Sequence, residues 1–85
     1  MTSPTDDGHG RELAAALAEL ERAIAQQRAK CLALARRLRP GLTADDITQP
    51  HDFPELAENW HWNYEDGVLA GLCAAELTLR RVVRK

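Results

Sequence analysis

The stretch ENWHWNYEDGVLAGLCAAELTLRRV, residues 58–82, decides how this chain is expected to fold. Within it Glu58, His61, Glu65, Val68, Leu72, Ala75, Leu79 and Val82 recur at alternating spacings of 3 and 4 residues, which sets all of them on one face of a single helix. That face is apolar from Val68 onward and polar over Glu58, His61 and Glu65. Two carboxylates and an imidazole on a surface meant for burial need hydrogen bonds, a counter-charge or a metal, because an unsatisfied buried polar group is expensive.

Upstream of this stretch, Asp52, Pro54 and Glu55 read as a helix start: a capping side chain, a proline suited to the first turn and a carboxylate three residues on. The spacing therefore predicts one helix over 53–83. Residues 39–52 form the connection, in which Arg39-Pro40-Gly41 stops the preceding helix. Thr43 to Asp46 can cap one short turn containing Ile47, and Ile47 and Phe53 pin the connection to the end of the bundle. Before it, Leu13, Leu17, Leu20, Ile24, Gln27, Cys31, Leu34 and Leu38 keep the same 3 and 4 spacing. They predict a helix over 11–38, roughly 40 Å long at about 1.5 Å per residue. Residues 1–10 read as a disordered lead, so that 11–85 make one helical domain.

Charge is distributed in zones. Arg28, Lys30, Arg36, Arg37 and Arg39 crowd the end of the first helix, while Asp52, Glu55, Glu58, Glu65 and Asp66 crowd the start of the second. Glu12, Glu19 and Glu21 stand early in the first helix, and Arg80, Arg81, Arg84 and Lys85 end the chain. Folding the helices back on each other antiparallel sets each acidic zone beside a basic one. That pairing neutralises the strongest basic cluster and argues against nucleic acid as a partner. No apolar run approaches the roughly 18 residues of a membrane span and the start is polar, so neither membrane nor secretion is expected and a cytoplasmic address is the default.

At 85 residues the chain buries only about 60% of its unfolded surface, and such chains often gain stability from a second copy, a metal or a disulfide. Cys31 and Cys73 do not suit a disulfide: antiparallel pairing separates them by about 15 Å along the helix axes, beyond the roughly 7 Å Cα limit. They read as small buried hydrophobes.

The same pairing brings residues near 31 against residues near 62, so Gln27 and Cys31 should meet His61 and Glu65. Glu58-x-x-His61 has the spacing by which four-helix di-iron carboxylate proteins present two ligands from one helix, and Glu65 adds an oxygen one turn on. A dimer of hairpins would complete such a site, with iron or zinc as the occupant and Cys31 as a further ligand. Helix 1 offers no carboxylate at that level. The favoured reading of these residues is instead a polar layer that sets the register of the assembly, which needs no cofactor; a third is that they simply face solvent.

Trp60 and Trp62 point in different directions, and one hairpin core cannot take both. Trp60 shares a face with Tyr64, Gly67 and Gly71, where the glycines let another helix approach closely. Phe53, Trp60, Trp62, Tyr64, Gly67 and Gly71 form the expected interface with a second copy or a larger protein partner. No phosphate loop, nucleophile elbow or nucleophile and base pair is visible, so no enzyme is expected.

At Gln49-Pro50-His51-Asp52-Phe53-Pro54-Glu55-Leu56, Tyr64-Glu65-Asp66-Gly67 and Leu69-Ala70-Gly71, the chain resembles small helical accessory proteins of high-affinity nickel-iron hydrogenases, over about residues 40 to 80. That resemblance implies a scaffold subunit gathering redox-enzyme protomers. The combined expectation is all-α: an antiparallel two-helix hairpin that dimerises into a four-helix bundle and serves as a scaffold or adaptor. A ferritin-like metal-binding protein is the alternative.

Overall fold

A computed structural model of the chain describes residues 4–84, with side chains described from Gly10 to Val83. Among the described residues the protein is all-helical. Three α-helices occur in the order α1 (Pro4–Leu38), α2 (Pro54–Ala57) and α3 (Trp60–Arg84). Two short 3-10 turns, Asp46–Thr48 and Pro50–Asp52, lie between α1 and α2.

The first helix begins at Pro4, ahead of the expected start at Arg11. Proline fits a first helical turn because its missing N–H has no partner there in any case. Residues 1–3 of the expected lead lie outside the described residues. The helix ends as expected: Gly41 turns the chain with φ +90°, a conformation open to glycine at little cost, and the Arg36 guanidinium donates to the Leu42 carbonyl at 2.8 Å. The connection then closes a reciprocal cap. Thr43 N–H donates to Asp46 Oδ2 (2.8 Å) and Asp46 N–H to Thr43 Oγ1 (3.3 Å), which draws the Asp46 carboxyl below its ordinary range.

The second half of the chain departs from the expected single helix over 53–83. It is broken at Glu58-Asn59, between α2 and α3. Asp52 belongs to the preceding 3-10 turn and does not cap; Phe53 occupies the α2 N-cap position without a side-chain bond, and Pro54 opens the first turn. Glu55 makes no capping box but pairs with Arg39 at 3.7 Å. The cap that matters is Asn59, whose Oδ1 accepts the Trp62 N–H at 2.8 Å and starts α3. Asn63 reaches back to the Ala57 carbonyl at 3.0 Å and satisfies the end of α2.

The break releases α3 from the phase predicted across 58–82. Its inward side has Trp62 and Glu65 buried and Val68, Leu69, Leu72, Glu76 and Leu79 half-buried, while His61, Ala75 and Val82 of the expected row are exposed. The physical reason is Trp62. Its side chain removes far more apolar surface from water than any residue on the competing side, and it is fully buried. Glu65, Val68, Leu72 and Leu79 belong to both rows. On α1 the predicted seam is the buried seam, with Ile24, Cys31 and Leu34 inside.

α1 and α3 contact each other in opposite senses: Lys30 pairs with Glu65 at 2.8 Å and Glu21 with Arg80 at 3.1 Å, while just past the end of α1 Arg39 pairs with Glu55 of α2 at 3.7 Å. These are acidic and basic zones paired as the sequence anticipates. The core sits at the connection end, where Trp62, Leu34, Ala35, Leu42 and Leu56 cluster, closed by Leu38, Ile47 and Phe53. The whole measures 58 × 19 × 16 Å, so its interior is a thin seam capped by one cluster. Among the described residues no helix is long and apolar enough to cross a membrane.

Candidate functional site

The polar layer forms where the seams were expected to meet. From α1, Gln27 and Cys31 stand one turn apart on the buried side, with Lys30 at its edge. From α3 comes the buried Glu65, with the exposed His61 one turn before it. Gln27 Nε2 donates to the Glu65 backbone carbonyl (2.9 Å) and to Glu65 Oε1 (3.0 Å), and lies 3.9 Å from Cys31 Sγ. Lys30 Nζ takes the other oxygen, Oε2, at 2.8 Å, with His61 Nε2 at 3.6 Å from the same atom. One turn toward the connection, the Trp62 indole donates to the Cys31 carbonyl at 3.3 Å.

Glu65 is thus 5% exposed with both oxygens engaged. The ammonium of Lys30 and then the amide of Gln27 hold its carboxyl below the ordinary range, and the same contact raises the Lys30 ammonium. Burial pushes the Cys31 thiol up. A carboxylate whose lone pairs are filled by an amide and an ammonium is a poor general base, and a thiol held protonated is a poor ligand or nucleophile. The layer is built to be satisfied: among the described residues every buried side-chain nitrogen and oxygen has a partner.

The expected metal set is not brought together. Glu58 closes α2 on the far side of the break and is exposed, so Glu58-x-x-His61 does not present two ligands from one helix. His61 is half exposed and Cys31 wholly buried. No group of three or more His, Cys, Asp or Glu side chains among the described residues converges on a common point. The one buried carboxylate of this set, Glu65, already has an ammonium and an amide donor within the chain.

The expected interface divides. Trp62 is fully buried in the chain's own core and cannot serve a partner, a correction that follows from the same burial that set the phase of α3. Phe53 is half-buried against that core, with the Arg39 guanidinium 4.9 Å over its ring. Trp60 and Tyr64, by contrast, are 79% and 64% exposed. Gly67 and Gly71 continue their face, also exposed.

Two features were missed in the sequence. Lys30, one turn from Gln27 on the flank of the seam, was counted only within a charge zone. A groove of about 310 Å³ opens between α1, α3 and the connection, floored by Ala29, Leu32, Ile47 and Leu69. Arg28 reaches across its rim to within 3.7 Å of Cys73 Sγ. Asp66 also lines the groove, its carboxyl pushed up by burial. Both cysteines are free thiols. Such a groove joins elements distant in sequence, so no local pattern announces it.

A scan against protein families found no match, and no curated protein or solved structure matches the chain either.

Proposed function

We propose that the protein is a non-enzymatic oligomerisation subunit: an antiparallel hairpin that pairs with a second copy into a four-helix bundle and serves larger proteins as a scaffold or adaptor. The observation that carries this reading is the outward side of α3. A chain with so thin an interior leaves Trp60 and Tyr64 largely exposed, on a helix face without charge. Large exposed aromatics on one contiguous face are the signature of a surface made to be covered. The polar layer around Glu65 fits the same role, since a satisfied buried network fixes the register of neighbouring helices better than it performs chemistry. The resemblance over residues 40 to 80 adds redox-enzyme protomers as the class of client.

The test is sedimentation or light scattering of the purified full chain at micromolar concentration. A homo-oligomer with full helical content is expected. A well-folded monomer at that concentration overturns the reading.

A further inference from the structure

Gly67 and Gly71 have no explanation within their own chain. Among the described glycines only Gly41 has a positive φ, so neither needs glycine's backbone freedom. A Cβ at either position meets nothing within 4 Å, so neither makes room for a neighbour in this chain. In the middle of a helix alanine is the better residue. Both glycines lie on the face that carries Trp60 and Tyr64, and that face has a pattern. Trp60, Tyr64, Gly67, Gly71, Ala75, Thr78 and Val82 follow at spacings of 4, 3, 4, 4, 3 and 4, which read the same in both directions from Gly71. All of them are exposed and none is charged. The Thr78 hydroxyl is spent on the Ala74 carbonyl at 3.1 Å, so it adds no unsatisfied donor.

We infer that this face is the contact between two copies of the chain, with the two α3 helices antiparallel and the two-fold axis passing at Gly71. The inference rests on the homo-oligomeric reading above and gives it a surface and a direction. About such an axis Trp60 meets Val82 of the second copy, Tyr64 meets Thr78, Gly67 meets Ala75, and Gly71 meets itself. The bulky ends then fold over smaller residues while the glycines let the axes approach at the crossing. Charge sets the direction. Arg81 is exposed beside the last turn of the face; parallel packing sets it on its own copy, whereas antiparallel packing carries the two to opposite ends of the contact, about 30 Å apart along the axis. The contact is self-complementary, so it closes at two copies and builds no filament.

Single-cysteine cross-linking in the full chain tests this, in a Cys73→Ser background with the wholly buried Cys31 left in place. Under mild oxidation Gly71→Cys should link to itself. Thr78→Cys alone should not, because its two copies stand about 21 Å apart along the axis at helical rise. Mixed with Tyr64→Cys, it should give a linked heterodimer at least about tenfold above either variant alone. This mixed pair leaves the crossing point untouched, so it reports the face and its direction even if a side chain at position 71 holds the helices apart. Thr78→Cys linking to itself as readily as in the mixture overturns the antiparallel arrangement. An oligomer by sedimentation in which neither Gly71→Cys nor the mixed pair links overturns this face but leaves the oligomeric reading standing. A monomer by sedimentation overturns both.

Discussion

The indole N–H of Trp62 donates to the backbone carbonyl of Cys31 across 3.3 Å, tying the first turn of α3 to the C-terminal part of α1 inside the core. A ring this size is placed by its burial, and its one polar atom by a carbonyl that already serves its own helix. Trp62→Ala should therefore cost about 3 to 5 kcal/mol. Trp62→Phe keeps much of the apolar volume and should cost about 1 to 2 kcal/mol, near the worth of the lost hydrogen bond. Urea denaturation followed by circular dichroism reads both, and equal losses would show that the core tolerates neither change.

Glu65 and Lys30 predict the pH limits of stability. The Glu65 carboxyl is lowered in the folded state, so its contribution is fully present above the ordinary carboxylate range and is lost as pH falls through the lowered native value. The Lys30 ammonium is raised, so its contribution is present below the ordinary ammonium range and is lost as pH rises through the raised value. Thermal unfolding should show a plateau across neutral pH with a fall on each side. In Glu65→Gln both limbs should flatten, since the substitution removes the partner that shifts Lys30.

Two caps carry the ends of the helices. Asn59→Ala should cost about 1 kcal/mol, with Asn59→Asp recovering most of it because its carboxylate oxygen can accept the same Trp62 N–H. Gly41→Ala places a side chain at φ +90° and should cost about 1 to 2 kcal/mol. Chemical denaturation of the three variants checks the ranking.

The thiols should separate by accessibility. Cys73 is partly exposed and Cys31 wholly buried. Iodoacetamide should modify Cys73 in the native protein, and Cys31 only at the rate of global opening. Mass spectrometry should find no bridge between them after oxidation.

Most of the fold was legible because α1 obeys one rule throughout. Its seam, its glycine stop and its charge zones all point to a helix lying against a second one, and Gln27 meets Glu65 where the register says it should. What was not legible lies at Glu58-Asn59. A 3 and 4 spacing can be drawn through an interruption as easily as through a helix, and asparagine is a modest helix former that is also a strong cap. With the interruption unseen, Glu58 joined a ligand set to which it does not belong, and Trp62 fell on the wrong side of its helix. Side-chain bulk outranks periodicity when two neighbouring faces compete for burial, and Trp62 against His61 is such a contest.

The break at Glu58-Asn59 frees the azimuth of α3 from that of α2. A residue added there is taken up by two polar, partly exposed positions held by Asn59 and Asn63, and α3 can keep the azimuth that Trp62 sets. The same insertion one turn further on, inside α3, would rotate everything after it by about 100°, moving Leu69 and Leu72 off the seam and scrambling the outward face. Length variation in this chain is therefore tolerable at one place and ruinous a few residues later.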